Sequence, residues 1–250
     1  MIVGNKYKLG EIIGQGSFGL VYKGKNIRTN EEVAIKVELK NSDYNLLKRE
    51  AQLCNIFVGH EGFLQLKWFG TEHEFTYMVT NLLVTPLLSE KQKISERLII
   101  CKQMVDRIKV LHSKGLVHRD LKPDNFMYSE DHIIYLIDLG FTKSYLINNK
   151  HVPYKEINGV IGTPNYMSVN VHRGISPTRR DDLESLVYIM FKMFHEVLPW
   201  EHVDGLEEIY KVKLNIKMPI LFNDLLSYIR SLEYDETPNY EKIKVFLSRY

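Results

Sequence analysis

The sequence predicts an α+β chain of two lobes: a small β-rich lobe with one helix, then a larger lobe of helices. Three observations lead there. Residues 1–83 run in short, roughly alternating apolar stretches broken by glycine and asparagine turns, as half-buried strands do. Beyond residue 95 the apolar residues recur at threes and fours, as in helices with one buried face. Within that second part lies the nine-residue run V-H-R-D-L-K-P-D-N at 117–125, crowded with charge yet bounded by Leu116 and Val117 on one side and Phe126 and Met127 on the other. Pro123 excludes it from the middle of a helix or a central strand. Solvated loops do not usually need apolar anchors, and cores do not usually take so much charge, so the run reads as a catalytic loop.

Taken in order, residues 7–13 form the first long strand by rough alternation. The turn Gly14-Gln15-Gly16-Ser17-Phe18-Gly19 follows, then strands over 20–24 and 32–37, with Arg28-Thr29-Asn30 turning between them. Residues 44–57 switch to helical spacing through Leu46, Leu47, Leu53, Cys54 and Phe57. Residues 63–68 and 75–83 read as two more strands, giving the small lobe five strands and one helix. Ser95 is placed to cap a helix whose stripe of Leu98, Cys101, Met104, Val105, Ile108 and Leu111 runs to Gly115. The charged loop comes next, then a short strand over 132–137 ending in Asp138-Leu139-Gly140. An irregular stretch with Pro153, Gly159, Gly162 and Pro164 reaches about residue 173, and connections that long are usually functional or disordered. A buried helix over 181–194, the pair Pro199-Trp200 and shorter helices complete the chain.

Composition narrows the classes. The 250 residues, 44% apolar and 26% charged, suit a globular protein with a substantial core. A formal charge of +2 is too small to make nucleic acid or an anionic membrane the main partner. Two separated cysteines, Cys54 and Cys101, make neither a disulfide framework nor a metal cluster, and the scattered histidines hold no HxxxH pair. No apolar leader opens the sequence, and the most apolar later stretch is interrupted by Glu184, Lys192, His195 and Glu196, so no membrane span is expected. The expected setting is cytoplasmic or nuclear.

Three further patterns carry chemistry. Residues 14–21 spell G-x-G-x-x-G-x-V, but Leu20 to Lys23 continue as strand rather than opening a helix. The glycines therefore join two antiparallel strands, either as a flap whose backbone N–H groups approach phosphates or as a plain hairpin turn. Lys36 ends the apolar run Val33-Ala34-Ile35 and is either a solvated edge residue or an ammonium fixed by Glu50 of the following helix. Asp138-Leu139-Gly140 follows Asn125 after twelve intervening residues.

Together, G-x-G-S-F-G-x-V, V-A-I-K, H-R-D-L-K-P-D-N and Asp-x-Gly after a strand resemble the eukaryotic protein kinases, in the right order and at matching spacings. Gly162-Thr163-Pro164-Asn165-Tyr166-Met167-Ser168-Val169-Asn170, standing where most kinases carry A-P-E, with Asp124-Asn125-Phe126-Met127, Thr178-Arg179-Arg180-Asp181-Asp182-Leu183-Glu184-Ser185-Leu186 and Leu198-Pro199-Trp200, is similar to the casein kinase 1 family, the sister branch of vaccinia-related kinases being the runner-up. The resemblance covers essentially the whole chain and weakens after about residue 203. It implies a single bilobal protein kinase domain over 1–250, with an N-lobe to about residue 80, a hinge at about 81–84 and a C-lobe from about 85. It implies a monomeric serine/threonine kinase that uses ATP and Mg²⁺ on protein substrates. Asp120 would accept the proton of the substrate hydroxyl, and Lys122 would stabilise charge on the transferred phosphoryl group. Asn125 and Asp138 would hold Mg²⁺ through hard oxygen ligands. Gly14, Gly16, Ser17 and Gly19 would cover the phosphates that Lys36 and Glu50 hold. Asn81, Leu82 and Leu83 would bond adenine through backbone, Ile13, Val21, Ala34, Met127 and Ile137 would line it, and Thr80 would be the gatekeeper. Asp182 would tie the buried helix to the backbone of the catalytic loop.

The departures from the family pattern are specific. Leu139 replaces the phenylalanine of Asp-Phe-Gly, an apolar exchange that leaves Asp138 intact. Asn165 stands where the family carries arginine, and Glu207-Glu208-Ile209 where it carries a basic cluster, which reads as a lost anion site for acidic or phosphorylated substrates. The stretch from 218 to 232 is shorter than in the family, and no regulatory tail follows Tyr250 in this sequence, so autoinhibition by a tail is not expected. Arg119 reads as a structural donor ahead of a receptor for a phosphate on Thr142, Ser144 or Thr163. The rival class is a pseudokinase, a nucleotide-binding scaffold, against which stand the intact Lys36, Glu50, Asp120, Lys122, Asn125 and Asp138. A nucleic-acid-binding role has little beyond a pI of about 8.3 behind it.

Overall fold

Alternating β-branched and aromatic residues build the sheet that organises the first part of the chain. The computed structural model describes residues 1–16, 19–40, 46–83, 85–88 and 92–249. Strands β1 (Ile2–Val3), β2 (Tyr7–Gly16), β3 (Gly19–Asn26), β4 (Glu32–Leu39), β5 (Leu66–Glu72) and β6 (Phe75–Asn81) lie in the order β1-β2-β3-β4-β6-β5, every neighbour antiparallel. The five strands read from the sequence are present, and β1 adds a sixth at the edge, too short to show a period of its own. The strand expected from residue 63 starts instead at Leu66. Phe63 is withdrawn to stack on Phe57, ring centroids 4.2 Å apart.

The sheet has two unlike faces. Val33, Ile35, Tyr77 and Val79 point to one side and form a core with Val3 and Tyr7. Ala34 and Lys36, the alternate residues of β4, point to the other, with Val21 and Thr80 opposite them in register. Helix α1 (Leu46–Ile56) covers Met78 on that second face through Leu47 and Ala51. The Glu38 carboxylate of β4 accepts the Leu47 N–H at 3.2 Å, which pins the first described turn of α1 to the strand.

The chain divides into two units, Met1–Thr85 with Met127–Gly140, and Pro86–Phe126 with Phe141–Tyr250. The later segment joins the first unit through the Leu136 N–H, which donates to Gly62 O at 2.8 Å, and through a parallel bridge of Leu136 to Phe63.

The second unit is helical: α2 (Ile94–Ser113), α3 (Val169–His172), α4 (Arg179–His195), α5 (Leu206–Asn215), α6 (Ile220–Arg230) and α7 (Tyr240–Ser248). Helix α4 is buried nearly all round and packs against α2 and α6, while α7 packs on α2. Its acids are met by donors: Asp181 by Thr178 N–H and the Ser168 hydroxyl, Glu184 by the Arg230 guanidinium. Helix α2 begins one residue before Ser95, which therefore does not cap it. Glu96 accepts the Lys93 N–H at 2.9 Å instead, the acidic half of a capping box. The irregular stretch after residue 140 contains a small hairpin of Leu146–Ile147 with Lys150–His151, followed by α3. No helix among the described residues is long and apolar enough to cross a membrane.

Candidate active site

In the first unit, the register of β4 and the pitch of α1 bring three charged side chains together. Glu50 lies one turn beyond Leu47 on the face of α1 that meets the sheet. Its carboxylate accepts from the Lys36 ammonium at 2.6 Å. Asp138 Oδ1 lies 3.6 Å from the same ammonium. Burial alone would lower the Lys36 pKa, but the Glu50 and Asp138 carboxylates outweigh it and raise it above the ordinary lysine range. Burial and the Asp138 charge raise the Glu50 carboxyl, against the pull of Lys36. At 2.6 Å the contact is a charge-assisted bond, and Lys36 is a fixed cation rather than a solvated edge residue. Asp138 has φ +57°, a left-handed turn that aspartate tolerates better than most residues.

In the second unit, the loop at 117–125 folds around Asp120, which is buried. Its Oδ1 accepts the Thr163 hydroxyl at 2.8 Å, and its Oδ2 lies 3.4 Å from the Lys122 ammonium. Pro123–Asn125 forms a 3₁₀ turn, and Asn125 Nδ2 donates to the Asp120 carbonyl at 2.8 Å. With the amide nitrogen committed, Asn125 Oδ1 is the atom left for a cation, and amide and carboxylate oxygens suit magnesium.

The loop is held from below by α4. Asp182 Oδ2 accepts the His118 N–H at 2.7 Å and Oδ1 the Arg119 N–H at 2.9 Å, the tie expected of it. His112 Nε2 lies 2.9 Å from the same carboxylate, and Nδ1 is 2.7 Å from the Tyr240 hydroxyl. Burial lowers the His112 pKa, so the neutral ring donates to Asp182 and accepts from Tyr240. Burial by itself would raise the Asp182 carboxyl, but the bonds from His112 and the backbone hold it below the usual carboxylate range. These two backbone bonds offset the left-handed conformation of Arg119, φ +74°, worth roughly 1–3 kcal/mol of strain. Arg119 Nε donates to Phe141 O at 2.6 Å, as a structural donor does.

The remaining sequence candidates fall as follows. Gly14 pairs with Val21 across β2 and β3, and Val21 pairs with Lys36. Gly16 pairs with Gly19, and Ser17 lies outside the described residues. A Cβ on Gly19 would sit 1.9 Å from Val37 O, so that glycine is demanded by β4 alone. Ala34 pairs with Thr80, which is buried, and Asn81 ends β6 with its side-chain oxygen on Gln65 N–H at 2.9 Å. Leu83 is buried, while Ile13 is exposed. Met127 and Ile137 belong with Asp138 to the segment that joins the first unit. Leu139 is buried, so the apolar role of its position is met.

Two site residues went unassigned in the sequence. Thr163, weighed there only as a phosphate carrier, bonds to Asp120. His112 is hidden in the apolar stripe of α2, and a polar residue on a buried face was its only signal. Compared with known protein families, residues 7–244 match the model described as Protein kinase domain.

Proposed function

The chain belongs to the protein kinase domain family, and from that premise we propose that it is an ATP- and Mg²⁺-dependent serine/threonine kinase of casein kinase 1 type. The observation that carries the serine/threonine reading is the bond from the Thr163 hydroxyl to Asp120 at 2.8 Å. An aliphatic hydroxyl already donates to the carboxylate that is assigned to receive the acceptor's proton.

In this reading Asp120 orients the acceptor hydroxyl and takes its proton as the acceptor oxygen bonds to the γ-phosphorus of ATP and the bond from that phosphorus to the β,γ-bridging oxygen breaks, ADP leaving. Lys122, 3.4 Å from Asp120, neutralises charge on the transferred group. Lys36, fixed by Glu50, holds the nucleotide phosphates under the turn of Gly14, Gly16, Ser17 and Gly19. Asn125 and Asp138 are the proposed magnesium ligands, the ion supplying charge neutralisation at the phosphates when bound. The backbone of Asn81 and Leu83 reads the adenine, Ile13, Val21, Ala34, Met127 and Ile137 line it, and Thr80 is the gatekeeper. The casein kinase 1 assignment rests on the motifs at 124–127, 162–170, 178–186 and 198–200. Asn165, with the exposed Glu207 and Glu208 in the first turn of α5, supports a substrate choice that does not depend on a priming phosphate.

The test is radiolabel transfer from ATP with Mg²⁺ to casein and to paired peptides, one phosphoprimed and one not. Asp120→Asn is expected to lower turnover by about 10³-fold or more, with nucleotide affinity near that of the wild type. A wild-type protein that binds ATP and transfers nothing is a pseudokinase, and the enzyme reading is lost. A strong preference for the primed peptide overturns the reading of Asn165.

A further inference from the structure

Directly under the turn that carries Thr163, a lysine is buried where no sequence motif placed one. Lys213 of α5 is fully enclosed. Its ammonium donates to Pro164 O at 2.7 Å and Met167 O at 2.8 Å, and lies 3.2 Å from His172 Nε2. An ammonium has three donors, and here each has an acceptor. The rings of Tyr188 and Trp200 stand 4.9 and 5.1 Å from it, within cation–π range. The Trp200 indole N–H donates to Asn165 O at 2.9 Å. Carbonyls 164, 165 and 167 are thus all taken by two side chains.

The same turn reaches the catalytic loop from its other side. It closes on itself through the Tyr166 and Met167 N–H groups, which donate to Thr163 O at 2.9 and 3.0 Å. Thr163 ends on Asp120, and a Cβ on Gly162, at φ +108°, would lie 2.8 Å from Arg119 O. The backbone before the turn therefore touches the backbone of the loop.

Packing does not explain a lysine here, because a methionine of similar length fills the space without burying a charge. Burial lowers the Lys213 pKa to about 7, with Glu184 of α4 raising it and Arg230 of α6 lowering it further. His172 of α3 is pushed down to about 4 by burial and by Lys213 itself, which leaves its ring neutral and able to accept. What a methionine would not supply is three donors aimed at the turn.

We propose that Lys213, seconded by Trp200, is a positioning residue that fixes the turn at 163–167 as the seat of the acceptor peptide beside Asp120. The proposal rests on the phosphotransfer reading above. Its test uses Lys213→Met and Trp200→Phe in the full chain, with peptide kinetics, affinity for a non-hydrolysable ATP analogue, and amide exchange across residues 162–168. Lys213→Met is expected to lower kcat/KM for an unprimed serine peptide by about tenfold to a hundredfold, mainly through peptide KM, because misplacing a reacting group by an ångström has effects of that size. Analogue affinity stays within about twofold. Trp200→Phe keeps an aromatic ring but loses the indole N–H donor and part of the buried ring area, so it shifts peptide KM in the same direction by about threefold, and carries the test if Lys213→Met does not fold. Exchange quickens at 163–167 in both variants. Unchanged peptide kinetics in a folded variant, or nucleotide affinity falling in step with peptide kinetics, overturns the proposal. A wild-type protein that transfers no phosphate overturns the phosphotransfer reading and the seat together. A normal wild type with unaffected variants overturns the seat alone.

Discussion

Lys36 of the first unit and Lys213 of the second are both withdrawn from water, and the chain treats their charges in opposite ways. Lys36 meets carboxylates, Glu50 at 2.6 Å and Asp138 at 3.6 Å, and its pKa rises above the ordinary range. Lys213 meets two carbonyls, an imidazole and two rings, and its pKa falls to about 7. Burial penalises the ammonium in both places, and the formal charge of the partners decides which side wins. A lysine held by acids is a permanent cation, suited to an anionic ligand. A lysine held by neutral acceptors is a structural donor whose charge is negotiable near neutral pH.

Of changes to the two lysines and their partners, the largest effect is expected from removing the permanent cation. Lys36→Met should lower kcat/KM for phosphotransfer by about 10³-fold, roughly 4 kcal/mol of transition-state stabilisation, in steady-state assays with saturating peptide. Glu50→Gln tests whether the acid matters beyond placing the ammonium. Asp138 still faces Lys36 in that variant, so a smaller loss of about a hundredfold is expected, roughly 2.7 kcal/mol. Equal losses would mean that Glu50 is the whole of the site's support.

The negotiable cation makes stability depend on pH. The folded pKa of Lys213, about 7, lies below its unfolded value of 10.5, so between those limits the unfolded chain binds more protons. Stability from this group is therefore complete above the unfolded value, and is lost as pH falls through the folded one. Urea unfolding of wild type minus Lys213→Met should show a difference that grows by a few kcal/mol, on the order of 2 or more, from pH 7 to 10. A flat difference would place the charge elsewhere. The smallest effect belongs to Tyr240→Phe, which removes the donor to His112 Nδ1 and leaves the ring. A loss of about 1 kcal/mol in thermal or urea unfolding is expected, with catalysis near normal.

The contrast between the lysines also marks what could be read in advance. Lys36 was legible through the resemblance: its own surroundings left it either a solvated edge residue or an ammonium fixed by Glu50, and V-A-I-K in company with the other motifs decided between them. Lys213 was not, since it stands two residues from Lys211 in one short helix. Lys211 is exposed and paired with Glu208, the default for a surface lysine, and nothing local says which of the two turns inward. The α+β class and the order of the long elements followed from alternation and from apolar stripes. Two-residue β1 and the return of Met127–Gly140 to the first unit did not, because a strand of two or three residues has no measurable period and the return hangs on contacts such as the Leu136 bond to Gly62 O. Ser95 misled for a related reason: Glu96, the next residue, satisfies the helix end, so the serine became an ordinary first-turn residue.

Asp182 has a consequence for synthesis. Chains fold while they emerge N-terminus first, and the loop with Asp120 leaves the ribosome some sixty residues before the carboxylate that holds its backbone. Until α4 has emerged and been buried, the Asp182 carboxylate is not there to accept from the His118 and Arg119 N–H groups or to offset the left-handed backbone of Arg119. A nascent chain stopped near residue 170 thus carries every residue assigned to phosphate transfer and no template for arranging them. The geometry of the loop thus waits on a helix that is made after it.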